Sequence, residues 1–260
     1  MQTKKRKLIS IQMVGFELRN VIGNPYVHIF GIGLPIVLAM LITRMAVSEI
    51  PNEMAATAAA TSVYLGAAAM IPMAVLLMGY AVGYAEEMAR GVQERMQLFG
   101  ISSRMTFCNR AVAELFFLIV AFGLFFGSGC MFFQLKRPTA AGLFCYIFCM
   151  IVFSMICMAL AHGVACLCRN FGKTYCVGML IYFSFLILGG MMGLSYEDLP
   201  GWAQAAAKLL PVTYINRDFY QIWTGKTYQF MPMVQSYLFL GAVALLVLCV
   251  PDVVRTLRRK

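Results

Sequence analysis

Apolar residues fall into six long runs, separated by shorter and more polar stretches. Each run is close to the ~20 residues that a helix needs to cross the hydrocarbon core of a bilayer. The pattern therefore predicts an all-α, polytopic membrane protein with six transmembrane helices. The predicted spans cover about residues 26–47, 61–85, 111–133, 140–166, 175–194 and 232–251.

The segment before the first span, residues 6–24, has a different pattern. Its apolar positions recur at steps of three and four residues, which predicts an amphipathic helix. The basic start of this N-terminal helix favours a position along the interface of an anionic leaflet. The apolar positions are Leu8, Ile11, Gly15, Leu18 and Ile22, and the polar positions Lys7, Ser10, Glu17 and Asn20 lie mostly on the other side.

Two connections between spans are longer than simple turns. Residues 86–110 are rich in charge, with apolar residues between the charges, and part of this stretch is predicted to be a short helix. Residues 195–231 are long and half apolar, which predicts a folded or re-entrant segment against the membrane. Aromatic side chains in the second connection suit anchoring at the interface: Trp202, Tyr214, Tyr220 and Trp223.

Glycine spacing suggests where spans approach one another. The second span contains Gly79-x-x-x-Gly83 and the third contains Gly123-x-x-x-Gly127. Small residues at this spacing allow two helices to pack closely in a membrane.

Composition and charge agree with a membrane location and set the orientation. Hydrophobic residues make up 61% of the chain, whereas soluble domains average about 45–50%. If the N-terminus is inside, only six of the 21 basic residues lie outside, so the positive-inside rule predicts both termini in the cytoplasm. The six are Arg44, Lys136, Arg137, Lys208, Arg217 and Lys226. The start Lys4-Lys5-Arg6-Lys7 is expected to be a retained cytoplasmic end rather than a signal peptide.

The net charge of +10 does not indicate nucleic-acid binding. The basic residues cluster at the ends of apolar runs, with no recognition helix or stacking platform between them. Nine cysteines lie mostly inside the apolar runs, so we expect small packing residues and neither a disulfide framework nor a metal site.

Candidate catalytic motifs do not satisfy the chemistry that they would need. A phosphate-binding loop needs a glycine five residues before its Gly-Lys-Ser/Thr. That position is Leu167 before Gly172-Lys173-Thr174 and Tyr220 before Gly225-Lys226-Thr227. Glu86-Glu87-x-x-Arg90 is similar to the paired-Glu motif of membrane prenyl-protein peptidases, but only His28 and His162 are present as histidines. We therefore expect no catalytic residues and no ATPase activity in this chain, and we expect His162 to be a packed polar group.

Two motifs resemble the membrane subunits of type-2 ABC exporters. In the inner connection, the acidic cluster Glu86-Glu87 is followed by Gly91, Glu94 and Ser102, although Val92 and Gly100 replace the usual Thr and Pro. In the outer segment the resemblance rests on Leu199-Pro200-Gly201-Trp202 and Pro211-Val212-Thr213-Tyr214, with Leu199, Pro200, Trp202, Pro211 and Tyr214 as the motif residues. The order of the elements extends the resemblance over nearly the whole chain.

The resemblance implies a single permease domain, residues 1–260, in the plasma membrane. It comprises an N-terminal helix within 1–25, a coupling loop at 86–110 and an extracellular helical segment at 195–231. Residues of about 86–102 would form a coupling helix, beside which the N-terminal helix would pack. The contacts of this coupling helix to a separate ATP-binding subunit would be Glu86, Glu87, Arg90, Gly91, Glu94, Arg95 and Ser102.

The resemblance further implies a translocation path between this chain and a second permease, in a homodimer or a heterodimer. ATP and Mg²⁺ would be used by the partner subunit and not be bound here. Phe183, Phe185, Met191 and Met192 are candidate lining residues. An amphipathic cargo such as a drug, an antimicrobial peptide or a lipid-like molecule fits spans that carry few charges. The alternative is a non-transporting membrane immunity or assembly protein.

Overall fold

A computed structural model describes residues 8–192 and 196–257 of the chain, and the side chains of these residues except Tyr26 and 251–257. The predicted basic start Lys4–Lys7, residues 193–195 and the basic residues 258–260 lie outside the described residues. The described part is built of helices and contains no strand. The predicted all-α class is therefore confirmed.

Six helices are long and apolar enough to cross a membrane, as the hydropathy pattern predicts. They are Ile29–Ser48, Glu53–Ala89, Ser103–Phe132, Ala140–Cys168, Phe171–Leu188 and Met231–Val250. The end of the bundle that carries residues 86–110 is called the inner end here, and the opposite end the outer end.

The second and third spans begin earlier than the hydropathy predicts, because side-chain caps start both helices in polar sequence. Asn52 Oδ1 accepts a hydrogen bond from the Met54 backbone N–H at 3.0 Å. Ser102 Oγ accepts one from the Met105 N–H at 3.3 Å. Such caps satisfy N–H groups that have no partner within the first helical turn.

The second span is the axis of the bundle. In its most apolar stretch 89% of the residues are buried within the chain, compared with 22–44% in the other five spans. The first and second spans each contain a π-helical turn, Ile29–Gly33 and Met73–Tyr80, and these turns face each other. A Cβ at Gly31 would lie 2.5 Å from Val75 Cγ2, so glycine is needed at this crossing.

The two glycine motifs differ in what surrounds them. A Cβ at Gly79 would lie 2.7 Å from Val27 Cγ2, so this glycine permits the predicted close approach. A Cβ at Gly123 or at Gly127 would meet no atom within 4 Å. The third-span motif therefore makes no close helix contact within the described chain.

The N-terminal helix covers Ile11–Ile22 and packs along the third span, including Arg110, rather than along residues 86–102. This corrects the expectation that it lies beside a coupling helix. Several of its apolar residues point outward, with Ile11 91%, Phe16 55% and Ile22 54% exposed, whereas Glu17 at 2% and Val21 at 4% are buried against the protein. In a bilayer the apolar face can remain outside because lipid solvates it, and the polar face turns inward to a charged partner.

The outer segment is folded, as its apolar pattern predicts. Its described helices are Tyr196–Asp198, Gly201–Ala207, Pro211–Arg217 and Phe219–Trp223. Trp202 is 76% exposed and is available to the interface. Tyr214 and Trp223 are buried, so the expectation that they anchor the segment at the interface is wrong. Both side chains instead hydrogen-bond to backbone carbonyls inside the protein.

Candidate functional site at the inner end

The connection between the second and third spans contains two breaks. The second span ends at Ala89, and Gly91 follows in the left-handed conformation at φ 67°. A short helix, Val92–Leu98, comes next and is called the inner helix here. Gly100 is again left-handed at φ 77°, and the third span starts at Ser103. The short helix predicted within residues 86–110 is thus present as Val92–Leu98. The coupling helix expected over about 86–102 is interrupted on both sides of it, because two glycines adopt a conformation that ends helices.

Four of the predicted coupling side chains lie at the surface of this connection. Arg90 Nη2 is 2.6 Å from Glu86 Oε1, in a pair that is largely open to solvent. Arg95 donates to the Arg90 carbonyl at 2.9 Å and to the Gly91 carbonyl at 3.3 Å. Glu94 is exposed. These contacts fix the turn at Gly91 and hold the inner helix to the end of the second span.

Glu87 differs from the other predicted coupling residues because it points into the protein. Its two carboxylate oxygens accept hydrogen bonds from Arg110 Nη1 at 2.8 and 2.7 Å. Arg110 lies in the third span, and its side chain is only 7% exposed. A charged pair of this kind joins the inner ends of the second and third spans.

Arg110 is also the contact point of the N-terminal helix. Its Nε lies 3.6 Å from Glu17 Oε2, beyond hydrogen-bond range but within the range of an ion pair. Its guanidinium carbon lies 5.1 Å from the centre of the Tyr80 ring and 5.9 Å from that of Tyr84. We call Glu17, Glu87, Arg110, Tyr80 and Tyr84 the Arg110 cluster.

The electrostatics of the cluster are not fully balanced. Burial raises the pKa of the Glu17 carboxyl above its ordinary value, against the lowering effect of Arg110. Glu17 Oε2 and Arg110 Nε are buried and form no hydrogen bond. Glu114, one turn further along the third span, is 3% exposed, and its Oε2 also forms none. The Arg110 guanidinium is therefore the nearest positive charge to three carboxyl groups, those of Glu17, Glu87 and Glu114.

Asn109 fixes the start of the N-terminal helix beside this cluster. Its Oδ1 accepts a hydrogen bond from the Ser10 N–H at 2.8 Å, and its Nδ2 donates to the Leu8 carbonyl at 3.1 Å. The N-terminal helix is thus attached to the third span at both Asn109 and Arg110.

Sequence reasoning did not identify Glu17, Asn109 or Arg110 as a group. One signal was present: Arg110 directly precedes the apolar run of the third span, where a charge needs a partner. Which acid would pair with it could not be read from the chain, since Glu17 and Glu87 are distant in sequence.

The inner helix also ends in two unexpectedly exposed apolar side chains. Leu98 is 86% exposed and Phe99 is 75% exposed, and charged residues flank them on both sides. An apolar patch with a charged rim at the surface is typical of a contact site for another protein.

The predicted path residues lie at the outer end of the fifth span and do not share one surface. Phe185 and Met191 are buried in the core, at 6% and 5% exposure. Phe183 is 43% exposed and Met192 is 53% exposed. The exposed pair is available to a neighbouring molecule, whereas the buried pair packs within the chain.

The predicted outer motif residues build the outer segment. Pro200 and Pro211 stand at the starts of the helices Gly201–Ala207 and Pro211–Arg217. Leu199 is buried, and the Tyr214 hydroxyl donates to the Lys208 carbonyl at 3.1 Å. Trp202 is the motif side chain that remains at the surface.

His162 is packed among aromatic rings, as expected. Its Nδ1 is hydrogen-bonded to the Tyr80 hydroxyl at 2.5 Å, and its ring lies edge-on to Phe107. Among residues 8–192 and 196–257, no three His, Cys, Asp or Glu side chains converge as metal ligands would.

Comparison with known proteins gives one match. A family model described as ABC-2 type transporter matches residues 11–223, from the N-terminal helix to the end of the outer segment. No curated protein and no solved structure gives a significant match to the chain.

Proposed function

Because the chain belongs to the ABC-2 type transporter family and is therefore a membrane permease of an ABC transporter, we propose that it forms the translocation path of an ATP-driven exporter. In this proposal a separate ATP-binding subunit uses ATP and Mg²⁺ and docks at the inner end. Both termini lie in the cytoplasm, and the protein resides in the plasma membrane.

The exposed surface of the inner helix carries the proposal. Leu98 and Phe99 present an apolar patch, and Glu94 and Arg95 supply charges beside it. Aromatic anchors surrounded by a polar rim are the usual centre of a protein interface. The ATP-binding subunit is the partner that this surface is proposed to receive.

The Arg110 cluster supports a route from that surface to the spans. The inner helix is joined through Gly91 to the second span, whose Glu87 pairs with Arg110. Arg110 in turn contacts Glu17 of the N-terminal helix. A push on the inner helix would thus move the central span, the third span and the N-terminal helix together, as rigid-body alternating access requires.

The fifth span supports a path that is shared with a second permease. Its exposed apolar residues Leu180, Phe183 and Ile187 recur at helical spacing, and Met192 follows beyond its end. Within the described spans, charged residues other than Arg110 and Glu114 lie near helix ends. A path of this composition favours an amphipathic cargo, such as a drug, an antimicrobial peptide or a lipid-like molecule, over a strongly ionic one.

Purification of the chain from its own membranes tests the proposal. We expect an ATP-binding protein to co-purify, with ATPase activity that the permease stimulates. Phe99→Ala should weaken this association by roughly 30-fold, the effect of losing an aromatic hot spot. Phe171→Ala, which removes another exposed aromatic ring beside the inner end, is the matched control and should leave the association unchanged.

Charge reversal gives a second arm of the same experiment. Glu94→Lys should lower the stimulated ATPase rate, and Lys173→Glu, a reversal of another exposed charge in the first turn of the fifth span at the inner end, should not. Recovery of the chain without any ATP-binding protein would contradict the exporter, and equal effects of the two aromatic variants would contradict the docking surface.

A further inference from the structure

A cavity of about 670 Å³ lies between the third and fourth spans, in the outer half of the bundle. Apolar side chains of both helices line it, among them Ile119, Phe122, Ile147 and Ile151. Ile119 is 67% exposed and Ile147 is 50% exposed, so the cavity opens sideways onto the lipid-facing surface. We call it the outer groove.

Hydrogen bonds fix the connection that forms the outer end of the groove. The stretch between the two spans is not helical, and the Lys136 N–H donates to Thr61 Oγ1 at 2.9 Å. Trp223 Nε1 donates to the Lys136 carbonyl at 2.8 Å, and the Thr139 N–H donates to the Trp223 carbonyl at 3.0 Å. These bonds tie the connection to the second span and the outer segment, so the gap between the two spans is preformed.

The rim of the groove carries uncompensated positive charge. Lys136 and Arg137 line its outer end and are exposed. No carboxylate of the described residues forms an ion pair with either of them. By contrast, Arg217 at the same end of the bundle is paired with Asp218 at 2.7 Å.

We propose that the outer groove binds an anionic phospholipid, with one acyl chain between the third and fourth spans and the phosphate at Lys136 and Arg137. A groove within the hydrocarbon region is filled by lipid or by protein, since water is not available there. Basic side chains at headgroup height attract anionic lipids. The site needs only the membrane location of the chain, and the proposed orientation places it in the outer leaflet.

A second copy of the chain fits the groove less well than a lipid. In a two-fold contact the same patch meets itself, so two concave grooves would face each other and leave a void. Lys136 and Arg137 would also approach their own copies, which is unfavourable between like charges. The exposed stripe proposed for the second permease lies on a different helix, the fifth span.

Native mass spectrometry of the full chain in mild detergent tests the site, with phosphatidylglycerol and phosphatidylcholine of identical acyl chains as probes. Gly123→Phe should fill the groove and abolish phosphatidylglycerol binding, because Gly123 lines the groove and faces open space. Gly127→Phe is the matched control: it also faces open space on the third span but does not line the groove. It should bind lipid like the wild type.

Removal of the rim charges tests the headgroup contact without altering the helices. The variant with both Lys136→Gln and Arg137→Gln should lose the preference for phosphatidylglycerol over phosphatidylcholine, by roughly fivefold for each charge. Lys208→Gln, which removes an exposed charge of the outer segment outside the groove, should keep the preference. This pair of variants decides the question if Gly123→Phe does not fold.

Three results would overturn the proposal. The first is equal binding of the two lipids by the wild type. The second is undiminished phosphatidylglycerol binding by Gly123→Phe. The third is conversion of a dimer to a monomer by Gly123→Phe, which would assign the groove to a second copy.

Discussion

The two ends of the bundle are closed by different chemistry. At the inner end, charged side chains join the elements: Arg110 pairs with Glu87 of the second span and contacts Glu17 of the N-terminal helix. At the outer end, the bonds between elements come chiefly from neutral side chains to backbone carbonyls, as when Asn216 Nδ2 donates to the Gly189 and Gly190 carbonyls at 2.9 and 3.2 Å. The ion pair of Arg217 with Asp218 joins neighbouring residues within the outer segment.

This difference in chemistry determines how each end can respond to a partner. A buried charge cluster with atoms that lack hydrogen bonds can rearrange when a neighbouring charge moves. Backbone carbonyls held by side-chain donors leave little freedom, because each broken bond leaves a buried polar group without a partner. This contrast fits the proposal that the inner end receives a conformational signal while the outer end stays fixed as a cap.

The largest expected effect comes from removing the charge at the centre of the inner end. Arg110→Met should lower the free energy of unfolding by about 3–5 kcal/mol, because it leaves buried carboxylates without a counter-charge. Denaturant titration of the protein in micelles measures this. Addition of Glu17→Gln and Glu87→Gln should restore part of the loss, since two of the carboxylates that lost their counter-charge are then neutral and only Glu114 remains beside the site.

Arg90→Met is the control for this charge effect. The pair of Arg90 with Glu86 is 71% and 42% exposed, so its loss should cost less than about 1 kcal/mol. Equal destabilisation by the two arginine variants would show that the inner end does not depend on the buried cluster.

A smaller effect is expected from disturbing the cap at the outer end. Gly66 of the second span touches the helix Pro211–Arg217, and a Cβ at Gly66 would lie 3.0 Å from Asn216 Cα. Gly66→Ala should therefore cost about 1–3 kcal/mol by overpacking, measured by the same titration. Gly127→Ala, at a position with no atom within reach of the new Cβ, should change stability little. A neutral result at Gly66 would mean that the cap moves easily.

The smallest effect is a pH dependence that only the inner end should show. Burial raises the pKa of Glu17 above its ordinary value near 4.5, so the folded protein holds this proton more tightly than the unfolded chain. The contribution of Glu17 to stability should then be greatest below about pH 4.5 and fall as the pH rises through the folded pKa. Glu17→Gln should remove this component from thermal unfolding measured against pH.

Arg110→Met tests whether Arg110 shifts that pH dependence in the expected direction. Arg110 lowers the pKa of Glu17, so its removal should raise this pKa further and extend the loss of stability to higher pH. Identical pH profiles in the wild type and Glu17→Gln would refute the assignment to Glu17.

The hydropathy pattern was sufficient for the spans and for the folded outer segment because lipid solvation acts on each segment separately. About 20 apolar residues in a row must leave water whatever the rest of the chain does. The two breaks within the inner connection were harder to predict. A helix over 86–102 fits local propensity, but Gly91 and Gly100 take left-handed conformations, and nothing in the spacing of charges required these breaks.

The sequence by itself therefore determined the number of spans, the amphipathic N-terminal helix and the presence of a folded outer segment, because these depend on local hydrophobicity. Only the tertiary structure decided that Glu17 turns inward to Arg110, that Glu87 is partly buried against Arg110 while Glu94 is exposed, and that Trp223 is buried and lines the outer groove. These outcomes depend on contacts between residues far apart in the chain. Such contacts balance the cost of burying a charge or a polar group, and no local pattern records which partner will do so.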